Sequence, residues 1–202
     1  IGNMGSEHCR ILRSGRVPEA ELTAVADVRA DRLCWARENL PGVQVFASAG
    51  ELIASGACDA VIVAVPHPSH PEITVKALEG GLHVLCEKPI AVSAAEARCM
   101  QEAAQRTNRT FALMFNQRTN GLYKRMKQLL DSGELGAIKR VNWIITDWYR
   151  TQLYYDSGSW RATWLGEGGG AAEPVPPSIG SAAVAVRYAG EGAGPLPRGQ
   201  VA

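Results

Sequence analysis

Gly2-Asn3-Met4-Gly5 has the residue types and spacing of the last four positions of G-x-G-x-x-G. In such a loop the middle glycine lets backbone N–H groups approach a pyrophosphate. The last glycine lets the following helix pack closely on a sheet. A helix predicted from Met4 to about Arg13 then aims the positive end of its dipole at the phosphates. Gly2 and Gly5 alone would equally suit an ordinary turn. Asp27, which lies 22 residues after Gly5, strengthens the nucleotide reading. At the end of a second strand its carboxylate can accept hydrogen bonds from an adenosine ribose diol and disfavours a 2′-phosphate. The competing reading of Asp27 is a residue at a helix N-terminus. Arg29 and Arg32 nearby keep NADP open beside NAD.

Positioning such a loop requires a strand before it and alternating elements after it, and the sequence supplies the alternation. Strands are predicted at Leu22 to Ala26, Val43 to Phe46, Ala60 to Val65, His83 to Cys86 and Thr110 to Met114. The Ala60–Val65 run is continuously apolar, as expected of a strand buried on both faces. Helices are predicted between them. One covers Asp31 to Asn39 and stops at Pro41-Gly42. Ser48 with Glu51, and Ser93 with Glu96, form capping boxes for helices reaching Ala54 and about Gln105. Pro71 takes the first position of another, which ends at Gly80-Gly81. Strict strand–helix alternation implies parallel pairing with right-handed crossovers. Ligands of such sheets sit beyond the carboxyl ends of the strands, here the segments after Ala26, Val65, Cys86 and Met114.

The pattern changes near Arg118. A helix from Tyr123 to Leu130 and a turn over Ser132 to Gly136 precede a β-type run from Ile138 to about Tyr149, whose aromatic content fits an antiparallel sheet. The predicted organisation is therefore a dinucleotide-binding α/β domain over 1–118 that lacks its first strand, the start of an α+β second domain over 119–170, and an aberrant, disordered tail over 171–202.

Composition narrows the function classes. Hydrophobic residues make up 46% and charged residues 20% of the 202, the balance of a globular domain. A net charge of +1 points to neither nucleic acid nor an anionic membrane surface. No apolar run approaches the roughly 20 residues that span a bilayer, and no signal-peptide pattern opens the chain. The five cysteines (Cys9, Cys34, Cys58, Cys86, Cys99) have no C-x-x-C spacing. They suit reduced packing thiols in a cytoplasm, the predicted location. His67 and His70 have i, i+3 spacing but no accompanying ligand set, so no metal is expected.

Two further segments carry a resemblance. Pro66-His67-Pro68-Ser69-His70 follows one predicted strand and Glu87-Lys88-Pro89 the next. With I-G-N-M-G-S-E-H, V-I-V-A-V-P-H-P-S-H, G-G-L-H-V-L-C-E-K-P, F-N-Q-R and W-R-A-T-W-L-G-E-G-G-G, the chain resembles the Gfo/Idh/MocA oxidoreductases over residues 1 to 170. The E-K-P segment is the most specific element. The resemblance implies a Rossmann-type parallel sheet whose first strand would precede Gly2, NAD as cofactor and hydride transfer to or from a sugar, cyclitol or related polyol. It implies that Lys88 hydrogen-bonds the reacting hydroxyl or carbonyl and helps move its proton. An ammonium beside a developing alkoxide stabilises that charge. It places Glu87 by the nicotinamide ribose, Pro89 in shaping the loop, Pro66 and His67 along the cofactor, and His70 at the next helix. Asn116 would lie near the nicotinamide, with Arg118 close by. Trp160 and Arg161 would reach in from the second domain. Homo-oligomers, formed through the second-domain sheet, are implied for the intact protein only.

His8 and His83 read as helix-surface and strand residues, and Trp143, Trp148 and Trp164 as sheet packing. An aromatic patch at Trp148, Tyr149, Tyr154 and Tyr155 suits either a sugar ring or core packing.

Beyond Gly170 the composition shifts. Ala, Gly and Pro supply 18 of the last 32 residues, leaving little large apolar surface to bury. Codons for Gly170 to Ser181 can be written so that a one-base shift yields V-L-L-N-Q-C-P-H-Q-L-D, the type of continuation the resemblance implies. The expectation is a frameshift near Gly170, costing the site an Asp and a His and leaving an inactive fragment. The alternative function is a non-catalytic dinucleotide-binding or sensor protein.

Overall fold

The computed structural model describes residues 1–142, 144, 149, 151–156 and 163. Five short strands and the helices between them follow the predicted alternation: α1 (Asn3–Arg13), β1 (Ala24–Ala26), α2 (Ala30–Asn39), β2 (Gln44–Phe46), α3 (Ala49–Ala54), β3 (Ala60–Val63), α4 (His70–Glu79), β4 (His83–Cys86), α5 (Ala94–Thr107), β5 (Phe111–Leu113), α6 (Gly121–Asp131) and α7 (Gln152–Asp156). All strand pairs are parallel. They form two separate parallel blocks, β1–β2 and β3–β4–β5.

Each element ends where local chemistry stops it. The Ser48 and Ser93 hydroxyls accept the Glu51 and Glu96 N–H groups at 3.2 and 3.3 Å, closing the helix N-termini as the capping boxes require. The Glu51 carboxylate returns to the Ala47 N–H at 3.0 Å. At the end of α4 the two glycines have separate reasons. A Cβ on Gly80 would lie 2.6 Å from Ile53 Cγ2, whereas Gly81 adopts φ +84°. α6 begins earlier than the apolar pattern predicts because the Asn120 side chain accepts the Leu122 N–H at 2.9 Å.

Two cores result. Cys9, Val25, Ala36 and Leu40 pack beside β1–β2. Val63, Leu78, Val84, Cys86 and Met100 pack where α4 and α5 meet the three-stranded block. α1 belongs to both blocks: Cys9 is in the first core, and an added Cβ on Gly5 would touch Ala64 beyond β3 at 3.9 Å.

Two expectations change. β3 ends at Val63 rather than Val65, and Ile62 is 36% exposed. Burial on both faces therefore fails for β3. α4 packs on one face, and no comparable helix covers the other among the described residues. Within the Ile138–Tyr149 run, residues 138–142, 144 and 149 form no strand, because no described segment takes their backbone hydrogen bonds. The rest of that run, with Trp143 and Trp148, lies outside the described residues, as do Trp164 and the 171–202 tail. Tyr154 and Tyr155 meet edge to face at 5.4 Å between ring centroids. Tyr149 is 86% exposed, so core packing does not describe it. No helix among the described residues is long and apolar enough to cross a membrane.

Gly81→Ala should lower the unfolding free energy by about 1–2 kcal/mol, since the left-handed conformation clashes with any Cβ. Urea titration of the two proteins checks this.

Candidate functional site

Parallel register aligns Val63, Cys86 and Leu113 at one edge. The segments that follow them emerge together, and α1 crosses beside them. Gly2 precedes α1 as its N-cap, with no side-chain cap and no acidic residue in the first turn. The N–H groups of Asn3, Met4 and Gly5 begin the helix, and Ser6 is the first to donate within it, to Gly2 O at 2.9 Å. Nothing stands within 4 Å of a Cβ built on Gly2, and Met4 is 51% exposed. This open, uncapped start fits a pyrophosphate. Gly5 differs from expectation in degree: its Cβ would make ordinary contacts of 3.8 and 3.9 Å with Ile1 and Ala64. Close packing alone therefore does not demand glycine there.

Asp27 follows β1 and lies against the glycine loop. Its Oδ1 accepts the Arg29 N–H at 2.9 Å, and its Oδ2 pairs with the amino group of Ile1. Arg32 faces the back of the loop. Its Nε donates to Ile1 O and its Nη2 to Ser6 Oγ, both at 2.7 Å, while the guanidinium stacks over Trp35. Arg29 is paired with Asp31 at 2.7 Å. Neither arginine is held ready for a 2′-phosphate, so the arrangement around Asp27 suits NAD.

The E-K-P segment follows β4. The Glu87 N–H donates to Val63 O at 2.9 Å, extending the ladder by one residue. Its carboxylate faces inward: Oε1 accepts His8 Nε2–H at 2.7 Å, and Oε2 accepts the Lys88 N–H at 3.3 Å. His8 and Glu87 side chains are only 12% and 9% exposed. His8 is thus the residue that sequence reading missed; its position one helical turn after Gly5 was the available clue. Lys88 is half-buried and precedes a cis Lys88–Pro89 peptide.

His70 is fully buried at the start of α4. Its Nδ1 lies 2.7 Å from Pro89 O and its Nε2 2.9 Å from Val65 O. Carbonyls only accept, so the two contacts compete for the single N–H of a neutral ring. The expected place of His70 at the next helix holds, but its ring braces two loops rather than facing outward. Its neighbour His67 meets it edge to face at 5.6 Å, with Pro66 exposed just before. No group of three or more potential metal ligands forms among the described residues. Asn116 is exposed in a short 3-10 turn after β5, with Arg118 stacked on Phe115 at 4.9 Å. Trp160 and Arg161 lie outside the described residues.

The GFO_IDH_MocA model, an oxidoreductase family with an NAD-binding Rossmann fold, matches residues 1–115. The chain belongs to that family. Among curated relatives, inositol 2-dehydrogenase of Streptomyces avermitilis is 39% identical over 136 residues, which cover 67% of this chain and 39% of the relative. The Corynebacterium glutamicum (strain R) enzyme of the same name is 34% identical over 138 residues, covering 68% and 41%. The chain therefore spans about two-fifths of the length of these relatives. Scyllo-inositol dehydrogenase from Lactobacillus casei, solved with NAD(H) and scyllo-inositol, superposes with a TM-score of 0.63 at 30% identity, covering 67% of this chain and 40% of that one. The WlbA dehydrogenase from Bordetella pertussis, solved with NADH and UDP-GlcNAcA, gives 0.70 at 25% identity, covering 81% and 50%. This Gfo/Idh/MocA chain thus shares the Rossmann domain of NAD-dependent dehydrogenases.

Cys86, immediately before Glu87, is one of five free cysteines. Burial pushes its thiol up to about 11, with the Thr74 hydroxyl drawing it down and the Glu87 charge adding to the rise. The unfolded thiol ionises from the ordinary value of 9.0. Stability should therefore hold below pH 9 and fall as pH rises towards 11, since the unfolded state releases its proton first. Urea midpoints across this window should fall less steeply for Cys86→Ala; Cys9 and Cys58, raised by burial, and Cys34, raised by its hydrogen bond to Glu38, add to the slope.

His70→Leu removes the one N–H that these two carbonyls share, and should cost about 1–3 kcal/mol in urea unfolding. An unchanged midpoint would mean that solvent or another donor already serves them.

Proposed function

We propose that this chain is the nicotinamide-binding part of an oxidoreductase acting on a hydroxyl-bearing carbon of a sugar, cyclitol or related polyol. The observation that carries the reading is the 2.7 Å His8–Glu87 contact. It joins the helix behind the glycine loop to the segment bearing Lys88, which supports reading the two as parts of one site. When bound, NAD supplies the hydride acceptor. Gly2, Asn3, Met4 and Gly5 would hold its pyrophosphate and Asp27 its adenosine ribose, with Pro66, His67 and Asn116 lining the nicotinamide side. Lys88 would donate a hydrogen bond to the substrate oxygen and favour its alkoxide form during oxidation. Glu87 supports that segment from below. The polyol class is supported by the inositol dehydrogenases among its relatives, and a cytoplasmic location accompanies the reading.

Residues 171–202 enter the same proposal as an out-of-frame tail. The one-base shift after Gly170 would supply the Asp and His that the family resemblance implies complete the site. The chain as written should bind NAD without turnover. The frame-restored chain should reduce NAD with inositols or related polyols, and Lys88→Met should slow that reaction by about 10²–10⁴-fold while retaining NAD affinity. Calorimetric NAD titration and nicotinamide absorbance measure the two halves. NAD binding by the frame-restored chain with no turnover on any polyol would favour a sensor, and no NAD binding at all would end both readings.

A further inference from the structure

The His8–Glu87 contact joins residues 79 positions apart, and its chemistry extends one step further than a brace. Glu87 has two carboxylate oxygens and two named partners: His8 Nε2 on one, the backbone N–H of Lys88 on the other. With the side chain only 9% exposed, solvent is a poor substitute for either partner. The Glu87 carboxylate therefore fixes the peptide on which Lys88 stands, and His8 fixes the carboxylate. On the far side the Pro89 carbonyl lies 2.7 Å from His70 Nδ1, sharing the ring's N–H with the Val65 carbonyl. Between these two anchors stands Lys88, half-buried.

His8 sits on α1, whose free N–H groups at Asn3, Met4 and Gly5 are one turn away. An anion drawn to those groups fixes the helix axially, and His8 moves with the helix. We propose that His8 is a positioning residue for Lys88, acting through Glu87, and that this link couples cofactor occupancy at the start of α1 to the Lys88 backbone. The proposal rests on the cofactor seat and on the role assigned to Lys88 above.

The test is hydrogen–deuterium exchange on the 202-residue chain, with and without NAD, for wild type, His8→Ala and His8→Gln. In wild type, NAD should slow exchange both at 2–13 and at 86–91. In His8→Ala without NAD, exchange at 86–91 should rise about tenfold, the loss of one hydrogen bond. NAD should then protect 2–13 but no longer 86–91. Glutamine offers an N–H near the place of His Nε2, so His8→Gln should restore both effects. Three results would overturn the link: NAD protection of 86–91 surviving in His8→Ala, no rescue by glutamine, or faster exchange rising equally over β1 and β3. The last would make His8 a general brace. Absence of NAD protection at 2–13 in wild type would instead sink the cofactor seat. The NAD-free comparison would still decide whether His8 holds the Lys88 peptide.

Discussion

Parallel pairing in register is the constraint from which the site follows. Once Val61 pairs with Val84 and Val84 with Phe111, every strand of the block must end on the same edge. Each return has to cross the sheet as a helix, because a tight hairpin cannot join parallel strands. The carboxyl ends of β3, β4 and β5 thus present the segments beginning at Ala64, Glu87 and Met114 side by side. The same rule applied to β1 brings Asp27 beside the glycine loop. Residues distant in sequence meet there without any one of them having to specify the meeting.

Polar groups buried at this edge then need partners, and histidine supplies them. His70 lies between the carbonyls of Val65 and Pro89. His8 meets the Glu87 carboxylate. These contacts stitch the β3 loop, the β4 loop and α1 together, and they hold the peptide around Lys88 from both sides. A lysine without such support would sample many positions, and the role proposed for Lys88 needs a donor already in place. The core beneath contributes as well: Cys86 and Met100 are fully buried directly below the segment.

The charges around the glycine loop are sorted by the same logic. Arg32 gives its N–H groups to Ile1 O and Ser6 Oγ and its face to Trp35, so its cation shapes the loop from behind. Asp27 keeps its carboxylate at the loop itself. A carboxylate in that place, with the nearby guanidinium committed elsewhere, offers no cation to a 2′-phosphate, in keeping with the NAD-binding Rossmann domain of the family. From sequence alone, Arg29 and Arg32 kept NADP open because proximity in the chain says nothing about where a side chain is spent.

What the residues by themselves determined is local. Apolar runs bounded by glycine, proline and capping serines marked the strands and helices, because backbone conformation and the first hydrogen bonds of a helix depend on near neighbours. Ser48, Ser93 and Gly81 act within a few residues of themselves; motif spacing brought Asp27 to notice, and the family resemblance of the E-K-P segment brought Lys88. Tertiary structure decided everything that needed a partner from elsewhere. It turned His8 from a surface residue into the ligand of a buried carboxylate, committed Arg32 to the glycine loop and left Ile62 on an uncovered face. The described residues of the 138–149 run likewise lack a strand despite their β-forming residues. In each case the deciding energy lies in a contact between groups far apart in the chain, which no neighbouring residue encodes.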